Sequence, residues 1–186
     1  MTISVIGLNH KSANIDIREK FSFTADSASL LLRRIKKFRD IQEVIVVSTC
    51  NRTEIYCESA NGSDDIKNWL LSEREYKSFA KHLYIHQEED AIEHLFKVVA
   101  GLDSMVIGES EVLGQVKTAY KIALDNKSID GKLKRLFEYS FSVAKNVRTN
   151  TDIGGNAISF MYTSILLIKK IFSTVEEKKC LSLIHI

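Results

Sequence analysis

Proline is absent from this 186-residue chain, and cysteine occurs only at Cys50, Cys57 and Cys180. Without proline nothing marks a rigid linker, and turns must be built by Gly, Asn, Asp and Ser. Three cysteines, an odd number without metal-ligand spacing, argue against a disulfide framework or a metal site and fit thiols kept reduced in the cytoplasm. Met1 is not followed by the basic and then apolar segment of a secretory signal. Long apolar runs are also missing. The most tempting one, Ile165-Leu166-Leu167-Ile168, is closed by Lys169-Lys170, far short of the ~18 residues a membrane span needs. The expectation is a cytoplasmic protein that does not enter a membrane. Low complexity and internal repeats are lacking too. Charge of one sign is scarce: a net charge of +2 is too small for composition to declare a nucleic-acid binder.

What is present suffices for a packed core, since 45% of the residues are hydrophobic and 27% charged, the mix of an ordinary globular protein. The length fits one domain, or one domain and the start of another. The small net charge hides an asymmetry. Between Lys117 and Asn150 the basic residues Lys117, Lys121, Lys127, Lys132, Lys134, Arg135, Lys145 and Arg148 face only Asp125, Asp130 and Glu138. That half can meet phosphates, or it is a solvated helix face laced with charges.

Short β-branched runs fill the first half. Ile3–Leu8 reads as a strand turned by Asn9–Ser12, Glu43–Ser48 as a second, Glu54–Cys57 as a third paired back on it, and Leu83–Ile85 as a fourth at an edge. A helix capped within Thr24–Asp26 carries Ala28, Leu31, Leu32, Ile35 and Phe38 at helical spacing, with Arg33, Arg34, Lys36 and Lys37 outside. A short helix surrounds Ile66, Trp69 and Leu70. From Asp90, with Glu93 completing a capping box, Ile92, Leu95, Phe96, Val99, Leu102 and Val106 form one apolar stripe. Helices through Val112–Ala123 and Leu133–Val147 follow, divided by Asp130-Gly131, and a last one runs from about Ala157 to Phe172. The expected class is α+β: a small, about four-stranded antiparallel sheet covered by helices and followed by a helical segment. Thr151–Asn156 is the linker candidate, giving units 1–153 and 154–186.

The stretch with the most chemistry is Ser48-Thr49-Cys50-Asn51-Arg52. It puts a thiol at the end of a buried strand and a guanidinium two residues on. A fixed cation lowers a thiol's pKa, and arginine can instead clamp a carboxylate bidentately beside the sulfur. A buried structural cysteine is the plain alternative. His94 lies between Ile92 and Leu95 on an apolar helix, where it is either a general base or a core-edge histidine; His86, near a strand end, is its rival.

Several blocks together resemble one family, glutamyl-tRNA reductase: Gly7-Leu8-Asn9-His10-Lys11-Ser12, Ser48–Tyr56 with Cys50-Asn51-Arg52 at its centre, Gly101–Glu109, Leu113-Gly114-Gln115-Val116-Lys117, and Ser140–Gly154. The resemblance runs from Ile3 to about Thr174. It implies that Cys50 attacks the ester joining glutamate to its tRNA, forming a thioester that NADPH reduces to glutamate-1-semialdehyde in tetrapyrrole synthesis. It implies acid/base work for His94, a substrate-carboxylate clamp for Arg52, and a glutamate pocket lined by Thr49, Asn51, Ser104, Glu109 and Gln115. Glu109 has the charge to receive the substrate's ammonium. Ser110 and Glu111, carried with that pocket, stand where many members have Pro-Gln, and Asn14 where many have Pro. The implied partners are glutamyl-tRNA, a second subunit, and glutamate-1-semialdehyde aminomutase. In the family an apolar strand then leads to a glycine-rich loop, a Rossmann-type NADPH domain and a helical dimerisation domain. Here Cys180–Ile186 close the sequence without a glycine, so the expectation is a catalytic domain limited to forming or hydrolysing the thioester. Two other readings stay open: a cysteine-dependent esterase or acyl transferase, and a tRNA- or partner-binding module with a structural Cys50.

Overall fold

A computed structural model of the chain describes residues 1–73, 76–154 and 160–172. Four strands, β1 (Thr2–Asn9), β2 (Ile41–Ser48), β3 (Arg52–Ser59) and β4 (Tyr84–Gln87), form one antiparallel sheet in the order β2-β3-β1-β4. The helices are α1 (Ile15–Lys20), α2 (Ala25–Ile35), α3 (Ser63–Ser72), α4 (Glu88–Val99), α5 (Glu111–Asp125), α6 (Lys132–Asn150) and α7 (Phe160–Ile171). This is the expected α+β class. The edge strand β4 has only four residues, and the other edge, β2, is partly covered where Val44 N–H donates to Ser128 O.

The register decides what each face of the sheet carries, because alternate residues of a strand point to opposite sides. Gly7 lies opposite both Glu54 and Tyr84, Val5 opposite Tyr56 and His86, and Asn9 opposite Arg52. Across the hairpin, Val47 pairs with Glu54, Ile45 with Tyr56 and Glu43 with Glu58. One face therefore gathers Arg52, Glu54, Tyr56, Tyr84 and His86. The helices α4 and α6 pack on it: His94 reaches Glu54, and Phe137 meets Tyr56 edge-on at 5.3 Å. Ser48 faces the other way and accepts from Phe23 N–H at the head of α2.

The elements differ from the sequence reading chiefly in the helices: α2 ends at Ile35, so Phe38, read as part of it, lies beyond, and an unforeseen 3-10 helix spans Lys77–His82. The α4 helix starts at Glu88 without a side-chain cap, so the expected Asp90–Glu93 capping box is not its start. It also ends at Val99, and Leu102 and Val106 belong to the loop beyond. Gly101 stops it at φ +77°, a left-handed conformation that glycine adopts freely, while Leu102 N–H and Asp103 N–H fold back onto Lys97 O. The apolar stripe continued past a stop that periodicity does not see. Finally, α1 is an additional short helix capped by Asn14, whose Oδ1 accepts from Ile17 N–H. The last helix is Phe160–Ile171; the first four residues of the linker candidate are described, Asp152–Gly154 as a short 3-10 turn, while its last two and the whole Cys180–Ile186 tail lie outside the described residues.

Candidate active site

The β2–β3 hairpin closes on four residues. Thr49 N–H donates to Arg52 O at 2.8 Å, and Thr49 Oγ1 accepts from the N–H groups of Asn51 and Arg52, both at 3.1 Å. Asn51 O accepts from His10 N–H, tying the tip to the end of β1. Thr49 and Asn51, expected to line a pocket, thus also build the turn that presents Cys50. The Cys50 side chain is exposed at this tip, so the reading of a buried structural cysteine is corrected; Cys57, buried and bonded to Ser4 Oγ, is the structural thiol.

Of the two roles left open for Arg52, lowering the pKa of Cys50 is overturned. Partial desolvation pushes the Cys50 thiol up, and the negative charges of Glu109 and Glu111 push it further. Arg52 points the other way, into the protein, and is only 2% exposed. Its Nη1 donates to Glu54 Oε1 at 2.7 Å, and its Nη2 donates to Asp103 Oδ2 at 3.0 Å and to Asp103 O. Lys11 pairs with the same Asp103 side chain.

Glu54 is the hub of this buried network. Its Oε1 accepts from Arg52, from Tyr84 OH and from His94 Nε2 at 2.8 Å, and its Oε2 accepts from Tyr56 OH at 2.7 Å. Burial alone would push its carboxyl up, but the His94 hydrogen bond, the Arg52 charge and the remaining donors hold it down at about 2. Burial likewise opposes the Arg52 charge, and Glu54 more than restores it. His94 and His86 both border a cleft of about 320 Å³ with Tyr84, Asn9, Lys11 and Asp103. The two imidazoles stack at 4.8 Å, but only His94 is bonded to Glu54. Cys50 does not border this cleft.

The segment between α4 and α5 carries the other expected residues. Ser104 follows Asp103 and has a buried hydroxyl without a hydrogen-bond partner in the protein. Glu109 is half-buried and its carboxyl is raised by that burial and then by Glu111. Ser110 and Glu111 are exposed at the start of α5, where Gln115 is half-buried. Arg148 of α6 clamps the segment's backbone, its Nη2 donating to Gly108 O at 3.2 Å and Glu109 O at 2.7 Å. Gly108, at φ +86°, leaves room that a Cβ would lose against Ile153 O, 2.9 Å away.

The structure thus joins Arg52 and His94 through Glu54, to which the sequence reading gave no role, with Tyr84 on the same carboxylate and Asp103 and Lys11 on the far side of Arg52. Among the described residues no three His, Cys, Asp or Glu side chains gather as metal ligands, and no helix is long and apolar enough to cross a membrane.

Residues 6–151 match the family model for the N-terminal domain of glutamyl-tRNA(Glu) reductase. The chain is 42% identical to glutamyl-tRNA reductase of Aliivibrio fischeri and 41% identical to that of Idiomarina loihiensis, in each case over 97% of its own length. It spans 44% and 43% of those two relatives. Among solved structures it resembles glutamyl-tRNA reductase from Methanopyrus kandleri, with a TM-score of 0.74 and 27% identity over 90% of this chain and 39% of that one. With more than half its length matched by the model and both relatives above two-fifths identity, the chain belongs to the glutamyl-tRNA reductase family.

Proposed function

We propose that this chain supplies the acyl-transfer step of an NADPH-dependent glutamyl-tRNA reductase. Cys50 Sγ attacks the ester carbonyl of glutamyl-tRNA; the C–S bond forms, the bond to the ribose oxygen breaks, and the thiol proton ends on the released ribose hydroxyl. The observation that carries this reading is Cys50 held exposed at the tip of a hydrogen-bonded hairpin, with Glu109 and Glu111 close enough to raise its thiol. A substrate ammonium paired with Glu109 removes part of that negative field, so the bound substrate makes its own nucleophile easier to ionise. His94 does the acid/base work on this reading, and Ser104, Ser110, Glu111 and Gln115 line the glutamate side with Thr49 and Asn51.

Arg52 can hold the substrate's side-chain carboxylate only by exchange, because Glu54 and Asp103 already engage it. Asp103, 15% exposed against 0% for Glu54, is the carboxylate that can yield. The tRNA is drawn by the groove of about 460 Å³ between α5 and α6, where Lys117 lies 5.7 Å over the Phe141 ring beside Lys145 and Arg148. The described residues contain no glycine-rich strand–helix turn to cradle a dinucleotide pyrophosphate. NADPH therefore does not fit them, and hydride transfer belongs to the whole protein, as do the homodimer and the hand-over to glutamate-1-semialdehyde aminomutase.

Adduct analysis tests the reading against a binding module with a structural Cys50; the cysteine-dependent esterase is told apart by free glutamate accumulating in place of a lasting thioester. Wild-type chain with glutamyl-tRNA is expected to release tRNA and acquire a glutamyl group cleaved by neutral hydroxylamine, whereas Cys50→Ser acquires none. Turnover to free glutamate that survives Cys50→Ser would refute it.

A further inference from the structure

Glu54 sits on β3, an interior strand, and its side chain is fully buried. Its four neighbours can all donate: Arg52 Nη1, Tyr84 OH and His94 Nε2 toward Oε1, and Tyr56 OH toward Oε2. A carboxylate beside a guanidinium has no proton to offer, so the His94 nitrogen facing it must carry the hydrogen. The sheet makes room for this arrangement. Gly7 lies directly opposite Glu54, and a Cβ there would stand 2.8 Å from Glu54 Cγ and 2.5 Å from Thr53 O.

The rest of the His94 ring is held by aromatic contacts rather than polar ones. His86 stacks on it at 4.8 Å and 27°, and Tyr84 meets it at 5.5 Å and 62°. No described protein group hydrogen-bonds Nδ1, and the ring borders the cleft formed with Asn9, Lys11, Tyr84 and Asp103.

We propose that Glu54 is the positioning residue for His94: its buried carboxylate holds Nε2–H against β3, so that Nδ1 is the one ring nitrogen left to accept a proton from the cleft. Glu54 touches no substrate in this arrangement. It acts through His94, and simultaneously through Arg52, which makes one buried anion the common anchor of both groups that serve the glutamyl substrate. The role in proton transfer rests on the proposed function; the assignment of the ring hydrogen does not.

The test combines a spectroscopic and a kinetic arm. In the wild-type chain with ¹⁵N-labelled histidine, His94 is expected to show a slowly exchanging, downfield Nε2–H; a His94 whose neutral ring carries its hydrogen on Nδ1, or with no protected Nε2–H, overturns the proposal without any variant. Glu54→Gln keeps the side chain's shape and removes its charge. It is expected to lose the protected Nε2–H and to slow glutamyl transfer to Cys50 by about 10²-fold at saturating glutamyl-tRNA, with any rise in KM through the loosened Arg52 smaller than that loss of rate. A Gln variant that transfers at the wild-type rate, or whose only defect is a raised KM, overturns it. If wild type forms no adduct at all, the proposed function fails, while the His94 spectrum still decides on Glu54.

Discussion

Glu54 and Arg52 are two residues apart on one strand, so they share a face, and the face is buried. Their pairing has a pH signature. The Glu54 carboxyl is held at about 2 against an ordinary 4.5, a depressed value, so its stabilising contribution is fully present above the ordinary carboxylate range and is lost as pH falls toward 2. At roughly 1.4 kcal/mol per unit this amounts to about 3 kcal/mol. Urea unfolding from pH 5 to pH 2 is expected to show a loss of that order in wild type that is absent from Glu54→Gln; parallel curves would contradict it. The Ser48–Arg52 block pointed to the reactive segment because strand ends and their turns are readable from local pattern. Glu54 went unassigned although the period of two that identifies a strand also places it beside Arg52. Burial by α4 and the approach of Asp103, 51 residues beyond Arg52, are tertiary events with no local trace.

Among the elements, α6 shows how the sheet orients a helix. Gly131 offers no side chain to cap it, and Glu43 from β2 supplies the carboxylate instead, accepting from Asp130 N–H, Gly131 N–H and Leu133 N–H at 2.6, 2.6 and 2.7 Å. Burial raises that carboxyl, but the backbone donors outweigh it and hold it below the usual range. Glu43→Ala is expected to cost about 2 kcal/mol, read as a lower urea midpoint; a loss within about 0.5 kcal/mol would show that the α6 start does not depend on it. The helices α5 and α6 were legible because their apolar periodicity coincides with real ends, whereas α2 stops at Ile35, one turn short of Phe38. Periodicity overran α4 because Gly101 terminates that helix through backbone conformation, which hydrophobic spacing cannot report.

At the scale of the molecule, the α+β class followed from short strands early and amphipathic helices late, while strand order and the two faces of the sheet emerged only from the register. The basic excess between Lys117 and Asn150 was visible as composition; the structure concentrates part of it along one groove. Lys117→Ala with Lys145→Ala is expected to weaken tRNA binding and reduce the slope of log K against log salt by about 2, measured by salt titration with unacylated tRNA; an unchanged slope would place the phosphates elsewhere. The central claim is that Cys50 takes the glutamyl group. The most direct measurement is the intact mass of the wild-type and Cys50→Ser chains after mixing with glutamyl-tRNA in the absence of NADPH. The account predicts one glutamyl adduct on wild type and none on Cys50→Ser; an adduct on both, or none on a folded wild-type chain, would contradict it.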